Sequence, residues 1–341
     1  MIKNVLIARP DGIGDLVLSL PVATQLRRLL PGVRIGMLAS PATAALLDHH
    51  PDVDYVRIVS IRAPLADLKQ AMSGEINAVI FLKPFRRLMW AAWLARVPIR
   101  VATGFRWQSV LANRWTYEHR SRFEKHEAEC NVEMLRGLRL VPEPVEPPSL
   151  VLTEDERRIG ERRWANLSRP RVVVHPGGLT ARRWRPEHYR DVIKELAGKG
   201  YGVILTGSDP ERKEFVSYSE AIRAEHPQVV DLMGQLPLRE LMAVLASAQV
   251  VVSVSTGPAH LAAALGVPTV TLYDPRRSNH PTRWKTLGAG VLLTPDVPMC
   301  AKCIGESCPH WDCMDRLTVA RVVAEVDQAM TPLRRLIMYQ V

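Results

Sequence analysis

The stretch ARPDGIGDLVLSLP, residues Ala8 to Pro21, follows directly on the apolar run Asn4 to Ile7. Gly12 and Gly14 stand at the end of an expected strand and the start of an expected helix, the usual setting for a bound phosphate. The dinucleotide fingerprint needs a third glycine three places after Gly14, and Val17 stands there. No Gly-Lys-Ser/Thr follows, so the turn is not a P-loop. Two carboxylates, Asp11 and Asp15, would also serve a pyrophosphate poorly. What the stretch specifies is a strand, a glycine turn carrying acids, and a helix expected from Asp15 to Leu30.

Working outward, the same grammar repeats. Val33–Leu38, Tyr55–Val59 and Ala78–Leu82 are short, almost wholly apolar runs, as strands buried on both faces of a parallel sheet should be. The stretch VPEPVEPPS, Val141 to Ser149, carries four prolines in nine residues and precludes regular structure. After it the pattern restarts with RVVVHPGG, GYGVILTGSD, QVVDLMG, AQVVVSVSTGPAHLAAALG and PTVTLYD. Strands alternating with helical stretches predict an α/β chain of two Rossmann-like doubly wound domains, 1–148 and 149–341, facing a central cleft. Ligands of such sheets bind beyond the C-terminal ends of the strands.

With 341 residues, 47% of them hydrophobic, the chain can bury two substantial cores. No apolar run approaches the roughly 20 residues of a membrane span. Met1 leads almost at once into the first strand, which leaves no room for a secretory signal and predicts a cytoplasmic protein. The formal net charge is +10, and it is unevenly placed: from Lys83 to Lys125 ten Lys/Arg face only Glu118 and Glu124. Phe85, Trp90, Trp93, Phe105, Trp107, Trp115, Tyr117 and Phe123 lie among them. Such a stretch fits an acidic substrate, an anionic membrane surface or nucleic acid, or else a solvated basic face over core aromatics. No zinc-finger, homeodomain or RNP pattern accompanies it, so no nucleic-acid partner is expected.

The unusual residues fall in the loops after the expected strands. HPGG (His175 to Gly178), TGSDPE (Thr206 to Glu211) and SVSTGPAH (Ser253 to His260) each end an apolar run. Thr256 and Gly257 would aim backbone N–H groups and a positive helix end at an anion. Arg182 and Arg183 could add charge-assisted bonds to it. No Gly-x-Ser-x-Gly is present, so a hydrolase elbow is excluded.

Assembled in order, these motifs resemble glycosyltransferase family 9, the ADP-heptose:lipopolysaccharide heptosyltransferases. The resemblance extends from IARPDGIGDLVLSLPV through HPGG, RRWRPEHY, VILTGSDPERK and DLMGQLPLRELMAVLASAQVVVS to STGPAHLAAALGVPTVTLY. It implies the GT-B type of fold, with the acceptor on the N-terminal domain and the nucleotide-sugar, ADP-heptose, on the C-terminal one. It also implies inverting transfer without a catalytic metal, to an acidic glycolipid of the lipopolysaccharide inner core at the inner face of the cytoplasmic membrane. Gly14-Asp15 matches the pair whose carboxylate is the base, and a base beside the attacking hydroxyl is what inversion needs. The other reading of Asp15 is a helix cap, and Asp11 would stand behind it. Arg182 stands where the family has lysine, a cation for the leaving ADP. Thr256 and Gly257 match the diphosphate-binding backbone and Glu211 the ribose-binding acid. Gly177, Gly178, Leu236, Ser255 and Pro258 complete the donor-side set. Ser255 is a departure, since the family commonly has aspartate there, and this leaves the identity of the sugar open. His260 is expected to pack at the helix start.

In CAKCIGESCPHWDC, Cys300, Cys303, Cys308 and Cys313 lie within fourteen residues. Disulfides are unexpected in a cytoplasmic chain, and the Cys-x-x-Cys start points to a structural zinc or iron ion. The resemblance adds that related branches carry similar cysteines, one ligating iron. Against that stand the non-standard spacing and the common occurrence of buried free thiols.

Overall fold

The structure, a computed structural model, describes residues 2–178 and 184–330. The chain divides into two compact units, Met1–Val151 and Leu152–Val341. The first runs β1 (Asn4–Ala8), α1 (Ile13–Val17), α2 (Leu20–Leu29), β2 (Arg34–Ala39), β3 (Tyr55–Ile58) and α3 (Leu65–Ala71). It continues with β4 (Ala78–Phe81), α4 (Arg86–Leu94), β5 (Ile99–Thr103), β6 (Arg114–Thr116) and α5 (Glu127–Val132). Its parallel sheet has the order β3-β2-β1-β4-β5-β6, with Ile7 of β1 opposite Met37 on one side and Ile80 on the other. The chain reverses its direction of winding between β1 and β4. Their following loops therefore diverge and leave a crevice at the strand ends.

The apolar runs form strands because both faces are covered: every residue of β1 and β4 is buried. The last two strands of that order, β5 and β6, lack that signature, being partly exposed and carrying Arg100 and Arg114. The expected helix from Asp15 to Leu30 is two helices. Pro21 cannot donate to the ladder, and its ring opposes the carbonyl four residues back, at Val17, where α1 ends. Ser19 bridges the break, its Oγ donating to the Asp15 carbonyl at 2.7 Å.

The second unit runs α6 (Glu154–Arg163), β7 (Arg171–His175), α7 (Pro186–Gly198), β8 (Gly202–Leu205), α8 (Asp209–Glu225) and β9 (Val229–Asp231). Then follow α9 (Leu238–Ala246), β10 (Val250–Val254), α10 (Gly257–Ala264), β11 (Thr269–Leu272), α11 (Pro281–Trp284), β12 (Gly290–Leu293) and α12 (Val319–Ala329). Its sheet, β12-β11-β10-β7-β8-β9, repeats the order of the first, with the reversal between β7 and β10. Its core gathers the strand valines with Trp184, Tyr189 and Phe215 and one face of α12. No helix among the described residues is long and apolar enough to cross a membrane.

Candidate active site

The acid-bearing turn leaves the end of β1 at the crevice of the first sheet. Asp15 lies in the first turn of α1, and the helix is capped by Gly12 rather than by Asp15. Its carboxylate is therefore committed elsewhere: Oδ1 accepts a hydrogen bond from Nη2 of Arg9. Oδ2 lies on the Gly12 side, 3.1 Å from where a Cβ at that exposed glycine would stand. Arg9 is 2% exposed. It also meets Asp11 through Nε at 2.9 Å and Glu127 through Nη1 at 3.2 Å. Burial opposes a charged guanidinium, but Asp11, Asp15 and Glu127 outweigh it and hold Arg9 above the ordinary arginine pKa. Lys83, in the loop after β4, reaches across the crevice to Asp11 at 3.1 Å. Sequence reasoning missed Arg9 and Glu127. The available signal was an arginine placed directly between an all-apolar strand and two aspartates.

The donor-side residues gather around the crevice of the second sheet. His175, Pro176 and Gly177 are buried at the end of β7. Glu211 opens α8 as the acid of a capping box with Ser208. Burial alone would raise its carboxyl, but Ser208 N–H at 2.7 Å and Oγ at 2.8 Å, together with the Gly178 N–H, lower it. A Cβ at Gly177 would stand 2.1 Å from Glu211 Oε1, so glycine there is what lets the Glu211 carboxylate lie against the β7 turn. Burial keeps the His175 imidazole below its usual pKa, and its Nδ1 pairs with Thr206 Oγ1 at 3.1 Å. On the neighbouring strand Thr256 precedes α10, but its Oγ1 turns to Ser253 and Val254 and leaves the helix start without a side-chain cap. Gly257 is half-buried and Pro258 buried in that first turn. Ser255 is half-buried at the end of β10, Leu236 is half-buried between β9 and α9, and His260 is packed in α10. A cavity of about 360 Å³ opens beside Gly177 and Glu211, walled by Trp184, Phe215, Met233 and Trp311. Arg182 and Arg183 lie outside the described residues.

The expected metal centre finds no support. Cys300, Cys303, Cys308 and Cys313 do line one small pocket with His310. Yet among the described residues no three His, Cys, Asp or Glu side chains are grouped to hold a metal ion. Cys313 is drawn into the hydrophobic core beside Met314 and Leu317, and Cys300 is pinned by its backbone to Pro275 and Arg277. The donor set thus does not fit a zinc or iron centre. The five cysteines form no disulfide, and burial raises the pKa of Cys300. In the basic stretch, Arg87 donates to the carbonyls of Ile61 and Ala63, and Arg100 to those of Leu111 and Val97. Those two cations hold loops. The aromatics are not all core: Trp107 is 73% exposed, with Trp90, Trp93, Trp115 and Tyr117 about half or more exposed.

Two solved structures share this architecture. Escherichia coli ADP-heptose lps heptosyltransferase II matches with a TM-score of 0.81 at 21% identity, over 96% of this chain and 98% of that one. The E. coli heptosyltransferase WaaC with ADP matches at 0.73 and 21%, over 96% and 100%. The fold is that of a GT-B glycosyltransferase, two Rossmann-like units with their loops at the strand ends. The sequence pattern of "Glycosyltransferase family 9 (heptosyltransferase)" matches residues 68–310, and the chain belongs to that family. Lipopolysaccharide heptosyltransferase 1 of E. coli K12 is 26% identical over 294 residues, 80% of this chain and 88% of that protein. The namesake from Pseudomonas aeruginosa is 25% identical over 330 residues, 90% and 88%.

Proposed function

We propose that the enzyme transfers a heptose from ADP-heptose, with inversion, to an acidic acceptor of the lipopolysaccharide inner core. The observation that carries the reading is the Asp15 carboxylate, bonded on one oxygen and open on the Gly12 side of the other, at the strand-order reversal of the first sheet. In this reading Asp15 takes the acceptor hydroxyl's proton as that oxygen attacks the anomeric carbon, and ADP leaves from the opposite face. Thr256 and Gly257 receive the diphosphate at the start of α10, Arg182 stabilises its departing charge, and Glu211 binds the ribose. Gly14, Gly177, Gly178, Leu236 and Pro258 shape the walls, and no residue is assigned to a catalytic metal. The names of the relatives, which include heptosyltransferases solved with ADP, support the donor.

The exposed aromatics between Trp90 and Tyr117, with Arg86 just before them and Arg106 and Arg114 among them, support an acceptor carried on an anionic membrane. The enzyme would then work from the cytoplasm as a peripheral protein. A second reading, with another nucleotide-sugar or a protein or small-molecule acceptor, is favoured by Ser255 alone, which stands where the family commonly has aspartate. Incubation with ADP-heptose and a truncated core glycolipid, with NMR of the product, tests the proposal. A new glycoside of inverted anomeric configuration is expected. Retention, or transfer only from a different nucleotide-sugar, would overturn it.

A further inference from the structure

Behind the Asp15 turn lies a chain of buried charge. Glu127 on α5 is wholly buried and is shared by Arg9 and Arg120. Arg120 also donates to Asn131 Oδ1 at 3.0 Å, and Asn131 donates in turn to the Leu18 carbonyl at 2.9 Å, at the end of α1. Lys83 closes the cluster on Asp11. Three cations thus face three carboxylates, with Arg9 touching all of the latter. A buried ion cluster of this kind is a poor device for stability, since apolar side chains of like volume commonly serve as well or better. Its geometry serves something else: it fixes one oxygen of one carboxylate.

We propose that Arg9 is a positioning residue for the transfer, holding Asp15 by Oδ1 so that Oδ2 receives the acceptor's proton, with Glu127 and Arg120 holding Arg9. This rests on the reading of Asp15 as the base. Three carboxylates brought together repel one another, and Arg9 is the charge that compensates them. Glu127 acts in the opposite sense, because it draws on the same guanidinium and adds a negative charge nearby.

The two substitutions should therefore move the pH–rate profile in opposite directions. In Arg9→Gln, kcat should fall by about 10- to 100-fold with little change in donor KM. The acidic limb of log(kcat/KM) should move to higher pH, and Arg9→Lys should restore much of both. In Glu127→Gln the limb should move to lower pH. A role confined to folding would lower active protein in both variants and leave both limbs where they are. Unmoved limbs in the folded variants, or limbs moving the same way, would overturn the proposal. Should Arg9→Gln not fold, Glu127→Gln decides it alone: a limb that stays in place or moves to higher pH would overturn the proposal. Asp15→Asn, run alongside, separates the two readings. Near wild-type turnover there would remove the base itself, whereas its inactivation with unmoved Arg9 and Glu127 limbs would remove only the present inference.

Discussion

The two sheets have one strand order and one place of reversal, yet the loops at those places are chemically opposite. After β1 the turn offers carboxylates, and a buried guanidinium stands behind them. After β7 and β10 the turns offer glycines and a helix start with no side-chain cap. A shared scaffold therefore fixes where a ligand sits, while side chains and backbone N–H groups decide whether the site takes up protons or anions. The acid turn needs support from a distant helix because like charges must be compensated. The anion turns need only close approach, which glycine provides.

The sharpest way to break that comparison is Asp15→Asn, which keeps the shape and removes the base. Turnover should fall by about 10²-fold or more while ADP binding, measured by calorimetry, stays near wild type. If binding fell and turnover did not, the two crevices would have to exchange roles. Gly177→Ala should act on the other side only. Its Cβ would drive Glu211 from its present position, so donor KM should rise about tenfold with kcat little changed. An unchanged donor KM would remove Glu211 from the ribose site.

The smallest effect concerns stability alone. Burial lowers the pKa of His175, so the folded state holds it neutral while the unfolded chain protonates it below about 6.5. Its contribution is therefore complete above that pH and is lost as the pH falls through the interval below it. Thermal unfolding at pH 7.5 and 5.5 should show wild type losing more than His175→Gln. Equal losses would mean that the imidazole is charged in the folded protein.

Much of this was legible because burial on both faces writes itself as apolar runs: β1, β4, β7, β8, β10 and β11 stand where their sequences place them. The partly exposed strands β5, β6 and β12 were illegible for the same reason, since a half-exposed strand needs no such run. Asp15 could be found from its motif. Glu127 could not, because an acid in a first helical turn normally reads as surface, and Arg9 was signalled only by its place between an apolar strand and two aspartates. Arg87 and Arg100 looked like part of a basic face, but their guanidinium groups are bound to loop carbonyls. The cysteines misled in the other direction: spacing along the chain says nothing of whether a thiol such as Cys313 turns into the core.

The break at Pro21 leaves α1 only five residues long, far too short to persist by its own hydrogen bonds. Its shape is borrowed from its contacts, among them Arg9, which bonds Asp15 and is itself received by Glu127, 118 residues further along than Arg9. A chimera that exchanged only the amino-terminal turn between two such enzymes would thus import an arginine without its acid, or an acid without its arginine. The unit that can be transplanted is the turn together with α5.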